Sequence, residues 1–230
     1  MHTYRFPAES PSYREARDEL LKAEGDLRAQ VERVAAMRRK LPDGGLVPQD
    51  YELEGSEARK VKLSELFEPG KDTLVLYGFM YGPAMAEACP MCTCFLDGLN
   101  GNAMHIARRV SLAVVAKSPI ARLEAYARSR DWSHLRMLSW GGTTFGRDFH
   151  CESESGGQNS ILHVFTKRPD GVRHFWSTEL NLMPSEPGQN HRHVDMMWPL
   201  WNVLDTTPEG RGMERDPEQP AEGDKADKLH

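Results

Sequence analysis

Cys89-Pro90-Met91-Cys92 sets two thiols about one helical turn apart. The pair follows an apolar run, Thr73 to Phe79, and precedes a stretch with helical spacing that leads into a second apolar run, Val110 to Ala116. A CxxC at such a strand-to-helix junction puts its first cysteine near a helix N-terminus, where unpaired backbone N–H groups and the positive end of the dipole stabilise a thiolate. Cys89 is therefore expected to attack in thiol–disulfide exchange and Cys92 to resolve the mixed disulfide. Pro90 suits the first helical position, where its missing N–H has no intrahelical acceptor to lose. Three residues along a helix turn the side chain by ~300°, which keeps Cys89 and Cys92 on nearly one face. Cys94 lies ~200° round from Cys92 and is expected to pack as a bystander. Glu87 opposes ionisation of Cys89, and no nearby Lys or His favours it, so the helix terminus must supply most of the activation.

The same cysteines allow a second chemistry. Cys89, Cys92 and Cys94, with His191 or His193, offer a Cys/His set for zinc or copper if the last helix folds back over them. Two histidines two residues apart suit a strand better than one helix face, and exchange, which needs no cofactor beyond the cysteine pair, is the expected use. Cys151 stands apart among Gly-rich polar residues and reads as a free thiol. Arg147, Asp148, Glu179 and Asp195 are candidates to line a pocket above Cys89. Trp140-Gly141-Gly142-Thr143-Thr144 lacks the glycine spacing and lysine of a phosphate-binding loop. Trp176, Trp198 and Trp201 have no basic residues interleaved and read as core anchors.

The elements that must hold these residues are legible in outline. Ser12 to Lys40 reads as a long amphipathic helix opened by a Ser12/Glu15 capping box, with Leu20, Ala23, Leu27, Val31 and Val34 on one face. That face is expected to pack on its own domain; a homodimer or partner contact is the competing use. Tyr51 to Leu53 and Val61 to Leu63 predict a short hairpin, with Ser64 capping a helical turn that carries Leu66 and Phe67. Thr73 to Phe79 reads as a central strand. The helix after Cys92 is expected to break or kink at Gly98 and Gly101. Val110 to Val115 is the next strand, and Ser118-Pro119 should open a helix reaching about Arg130. Strand, helix, strand, helix demands a parallel sheet with right-handed crossover. Ser160 to Phe165 and Val172 to Thr178 flank the turn Pro169-Asp170-Gly171 as an antiparallel hairpin. A final helical stretch, 190–204, carries Val194, Met197, Trp198, Trp201 and Leu204 on one face, divided or kinked at Pro199. The expected organisation is an N-terminal helical extension over 1–42, an α/β domain over 43–206 and a polar, mobile tail over 207–230.

Composition narrows the setting. The 230 residues suffice for a substantial core, and a formal charge of −5 spread along the chain gives no reason to expect a nucleic-acid partner. Four cysteines, three of them within six residues, do not form the dispersed framework of a secreted disulfide scaffold. The chain opens without a run of signal-peptide character, and no stretch approaches the ~20 apolar residues of a membrane span. A soluble, reducing, cytoplasmic setting is expected, with a protein or small-molecule thiol or disulfide as partner and no membrane association.

The order of elements is that of thioredoxin, and particular residues carry a closer likeness. Lys62-Leu63-Ser64-Glu65-Leu66-Phe67, Tyr77-Gly78-Phe79-Met80-Tyr81-Gly82-Pro83, Cys89-Pro90-Met91-Cys92, Leu123-Glu124-Ala125-Tyr126 with Trp132, Phe145 with Asp148-Phe149, and Leu204-Asp205-Thr206-Thr207-Pro208-Glu209-Gly210-Arg211 accompany the Arg/Glu/Leu-rich first helix. With these motifs the chain resembles the bacterial family known as DUF899, described as thioredoxin-like proteins of unassigned function. The resemblance covers most of residues 10 to 211 and implies a thioredoxin-like fold without supplying a substrate. Thioredoxins place a cis-proline before the strand facing their CxxC, whereas Gly156-Gly157-Gln158-Asn159-Ser160 contains no proline, so peptide docking of that kind is not implied. Peroxiredoxins place a Pro and a Thr or Ser at set distances before the reactive cysteine. Here Ala86 stands three before Cys89 and Pro83 is one place off, so peroxidase chemistry of that kind is not expected.

Overall fold

A computed structural model describes residues 4–184, 197–208 and 210, which fall into two compact units, Met1–Asp43 and Gly44–His230. The first unit is built on α1, Pro11–Arg39. Its N-cap is Ser10, not Ser12: the Ser10 hydroxyl accepts from the Tyr13 N–H at 3.1 Å, and Pro11 takes the first helical position. A cap two residues earlier lets proline sit where no N–H is required. Arg14 is buried within this unit, donating to the Tyr4 carbonyl at 3.1 Å and lying 3.6 and 3.5 Å from Glu9 and Asp18.

The second unit is a seven-stranded mixed sheet flanked by helices. In chain order the strands are β1 (Glu52–Glu54), β2 (Lys60–Lys62), β3 (Thr73–Gly78), β4 (Ser111–Ala116), β5 (Met137–Ser139), β6 (Ile161–Arg168) and β7 (Gly171–Ser177). They lie in the order β2-β1-β5-β4-β3-β6-β7. β3, β4 and β5 are parallel, joined by crossover helices α2 (Pro90–Ile106) and α3 (Ile120–Ser129). β6 returns antiparallel on the other side of β3, with β7 beside it. This is the thioredoxin-like arrangement, widened at one edge by the β1–β2 hairpin, which pairs antiparallel to β5.

Strand alternation divides the core into two layers. On one face Tyr77, Leu112, Val114 and Ala116 meet Phe95 and Leu96 of α2 and Ile120 and Leu123 of α3. On the other, Leu74, Leu76, Ala113, Val115 and Phe165 meet Tyr51, Leu63, Phe145 and Phe149. β4 is buried at all six positions, as a strand covered on both faces must be.

Several expectations change in detail. Ser64 does not cap a helical turn; its N–H and hydroxyl bond the Asp50 carboxylate at 2.9 and 2.6 Å, and a 3-10 turn starts one residue earlier at Leu63. α2 runs unbroken through Gly98 and Gly101, because burial of Phe95, Leu96 and Ala103 outweighs a propensity cost of about 1 kcal/mol per glycine. Pro119, rather than Ser118, is the cap residue of α3; Ser118 is buried and donates its N–H to the Tyr81 carbonyl at 3.0 Å. α4 (Phe145–Asp148) and β5 were not expected. The last described helix, α5 (Pro199–Leu204), starts at Pro199, with Trp198 buried against Phe95, Trp201 buried against Trp198, and Met197 exposed instead of on the inner face. Val194 lies outside the described residues, as do most of 207–230. Among the described residues no helix is long and apolar enough to cross a membrane.

Candidate active site

β3 delivers the chain to the cysteines along a short, tightly tied path. Past Gly78, the Phe79 N–H bonds the Val115 carbonyl at 2.8 Å, and the Met80 carbonyl accepts from the Cys89 N–H at 3.1 Å. The intervening loop wraps around Arg122 of α3. Its guanidinium donates to the carbonyls of Met85 (2.6 Å), Ala86 (3.0 Å), Gly82 (3.3 Å) and Pro83 (3.4 Å), and stacks 4.2 Å above the Tyr81 ring. One side chain thus satisfies four loop carbonyls and fixes where α2 begins. Arg122→Ala is expected to lower stability by about 1–3 kcal/mol, for the carbonyls left without a donor, and to raise amide exchange across 82–88. Denaturant unfolding with exchange mass spectrometry checks both.

Cys89 is the N-cap of α2 with Pro90 at the first helical position, and the Cys89 sulfur accepts from the Cys92 N–H at 3.4 Å. The carbonyl of Cys89 takes two donors from Thr93, its N–H and its hydroxyl, each at 3.0 Å. The Thr93 hydroxyl also meets the Tyr126 hydroxyl at 2.9 Å, tying the first turn of α2 to α3. Cys89 is half-buried, while Cys92 beneath it is 1 % exposed. Burial pushes the Cys92 thiol well above its ordinary range, and the neighbouring Cys89 pushes it the same way, with Tyr77 and the Met80 backbone opposing the rise. Burial, followed by the Cys92 sulfur, likewise holds the Tyr77 phenol well above its usual value, with Ser160 opposing the rise. The two sulfurs are therefore unequal. Cys89 sits at a helix terminus with the Cys92 N–H donating to its sulfur, and burial holds Cys92 protonated.

The other sequence candidates go elsewhere. Cys94 is half-buried beside Trp198, and burial raises its thiol. Among the described residues no group of three or more His, Cys, Asp or Glu side chains is placed to hold a metal ion. His191, His193 and Asp195 lie outside the described residues. Asp148 does not line a pocket above Cys89: its carboxylate accepts from Tyr51 (2.6 Å) and Thr144 (2.5 Å), with the Tyr51 and Phe149 rings packed in the layer on the opposite sheet face.

Cys151 is free but not open. It is 3 % exposed, in the opposite core layer, so close to Gly78 that a Cβ there would stand 2.7 Å from its sulfur. The sulfur lies 3.6 Å from His163 Nε2; His163 Nδ1 and His174 Nε2 each lie 2.6 Å from the Ser177 hydroxyl. Burial pushes the thiol up to about 12. Cys151 is expected to resist alkylation in the folded protein and to react only as fast as the protein opens, which timed labelling with and without denaturant measures.

Sequence reading missed Tyr77, Ser160, Met80 and Arg122. In sequence both Tyr77 and Ser160 read as strand residues, and only the topology, with β6 antiparallel beside β3, brings Ser160 next to the end of β3. No local signal marks Arg122, since its acceptors are carbonyls about 36 to 40 residues away in sequence.

A family model for bacterial proteins of unknown function, DUF899, matches residues 4–226. The chain belongs to that family. A search of curated proteins found no match. Among solved structures, this DUF899 protein is similar to reduced Prx3 in complex with hydrogen peroxide from Vibrio vulnificus (15 % identity, 70 % of this chain and 99 % of that one, TM-score 0.45). It is also similar to a cysteine-to-serine variant of PrxQ from Xylella fastidiosa (12 %, 60 % and 84 %, 0.46) and to the peroxidoxin BcpB from Mycobacterium tuberculosis (18 %, 71 % and 98 %, 0.43).

Proposed function

We propose that this DUF899 protein is a dithiol–disulfide oxidoreductase in which Cys89 attacks and Cys92 resolves. The observation that carries the reading is the asymmetry of the pair: a half-buried sulfur capping a helix, over a buried thiol one turn on. The Cys89 thiolate forms a bond to one sulfur of a substrate disulfide and releases the other as a thiolate. That thiolate takes the Cys92 proton. The Cys92 thiolate then attacks the Cys89 sulfur, closing the protein disulfide and releasing the second substrate thiolate. The helix N-terminus and the Cys92 N–H support charge on Cys89 before the first step. The partner is a protein or small-molecule disulfide, or a thiol when the reaction runs in reverse, in a cytoplasmic setting. Trapping tests the reading: Cys92→Ser should hold a stable mixed disulfide on Cys89 after exposure to oxidised glutathione, identified by peptide mass. A Cys92→Ser protein that acquires no adduct on Cys89 contradicts it.

A further inference from the structure

The hairpin that widens the sheet also builds a concave surface that none of the four cysteines lines. Two adjoining cavities, of about 430 and 320 Å³, open between the β1–β2 turn and α3 and share Ser56, Arg136 and Met137 in their linings. Either volume is in the range that holds a small organic ligand. The larger has an apolar floor of Trp132, Leu135 and Met137, all buried. The walls are charged: Arg128 and Arg136 line the larger cavity and Arg59, Lys60 and Arg136 the smaller, against two carboxylates, Glu124 and Asp131. Among the described residues Lys60, Arg128 and Arg136 form no ion pair, and Arg59 reaches only the exposed Glu57, at 3.7 Å. Glu124 is already engaged, accepting from the Ser56 hydroxyl at 2.6 Å, a bond that ties the hairpin turn to α3. In that turn Glu57 and Ala58 hold φ of 58° and 57°, left-handed backbone that residues with a Cβ keep only where their surroundings fix it.

In a chain of formal charge −5, an excess of positive charge around one groove does not follow from composition. The helix dipole accounts for Arg128, in the last turn of α3, but not for Arg136, which lines both cavities. Unpaired cations around a concave surface repel one another and focus a field that draws in an anion. Guanidinium forks match the oxygens of a phosphate or carboxylate, and the apolar floor favours a ligand that also carries an apolar body. We propose that this groove binds a small amphipathic anion, its phosphate or carboxylate held by Arg128 and Arg136 and its flat apolar part resting on Trp132, Leu135 and Met137. Arg59 and Lys60 in the adjoining cavity receive any further negative charge. The site uses neither Cys89 nor Cys92, so it stands or falls apart from the exchange reading.

Calorimetric titration of the full chain at low ionic strength tests this with 1-naphthyl phosphate and 1-naphthoate, which join a flat apolar body to each kind of anion. The tighter of the two identifies the anionic group, and it should saturate at one molecule per chain with a dissociation constant below about 1 mM. Inorganic phosphate, which lacks the apolar body, and 1-naphthol, which lacks the charge, should each bind at least about tenfold more weakly. Arg128→Ala and Arg136→Ala, both at exposed positions and so expected to fold, should each weaken the tighter probe by about ten- to a hundredfold, the worth of a hydrogen bond to a charged group. Arg109→Ala removes the same charge at an exposed position outside the groove and should leave affinity within about twofold. The proposal is overturned if neither anionic probe saturates below about 1 mM, or if inorganic phosphate binds as tightly as they do. Affinity unchanged in Arg128→Ala and Arg136→Ala, or lowered as much by Arg109→Ala, overturns it as well.

Discussion

Cys89→Ser is expected to lower the rate of exchange with a small disulfide by at least about a thousandfold, to the level of the protein-free reaction. A serine hydroxyl at the helix N-terminus stays protonated at neutral pH, so it offers no anion to attack sulfur. Cys92 cannot take over: it is buried, and its own environment keeps it a thiol. Cys94 and Cys151 are no better placed, the first against Trp198 and the second under the sheet. Serine preserves the cap, because its oxygen can accept from the residue-92 N–H as the Cys89 sulfur does, so the fold should be retained. Unchanged unfolding with abolished exchange is the expected pair of results, read by thiol release and denaturant titration. Retained exchange would mean that another thiol carries the reaction.

Acid should destabilise the protein through its other core layer. His163 is 1 % exposed, and burial, followed by the charges of His174 and His150, pulls its pKa down to about 3. In the unfolded chain a histidine titrates near 6.5. The folded form therefore binds the proton less readily than the unfolded one. The associated stability is fully present above pH 6.5 and is lost as pH falls from there toward 3, by about 1.4 kcal/mol per pH unit and about 4–5 kcal/mol in all. His174, half-buried and also shifted downward by burial, adds to the same slope. At the alkaline end Cys151 acts in the opposite sense: its folded pKa is about 12 against about 8.5 unfolded, so stability is lost as pH rises through that window. Unfolding free energy against pH should form a plateau near neutrality with both flanks falling. Replacing His163 by Gln, which can keep a hydrogen bond to Ser177, should flatten the acid flank between pH 6 and 4. An acid flank unchanged in that variant would assign the loss to other groups.

The parts of this molecule that reveal themselves in sequence are those whose signals are local. Thr73 to Phe79 and Val110 to Val115 are continuous apolar runs, and they became β3 and β4 at the centre of the sheet. Pro169-Asp170-Gly171 gave the β6–β7 hairpin, and the CxxC fell at the start of α2 because Pro90 excludes most alternatives there. β5 and α4 escaped because three and four residues are too few to show a period. The glycines of α2 misled in the other direction: propensity is a weak term, and Gly98 faces Pro199, with nothing nearer than 3.9 Å to a Cβ there, so the helix passes α5 without strain. At the site, the two cysteines were legible from spacing and their environment was not. Tyr77, Ser160, Met80 and Arg122 act through contacts set by sheet order and loop path, which no short motif encodes.

The most direct test of the central claim is the reduction potential of the Cys89/Cys92 pair, measured on metal-free protein by titration against glutathione ratios with mass spectrometry of the paired peptides and with Cys92→Ser as control. The account predicts a reversible two-electron couple between about −120 and −270 mV, the span of known exchange proteins, with the disulfide found only between these two residues. If no Cys89–Cys92 disulfide forms anywhere in the titration, the pair is not a redox couple and the proposed activity is wrong.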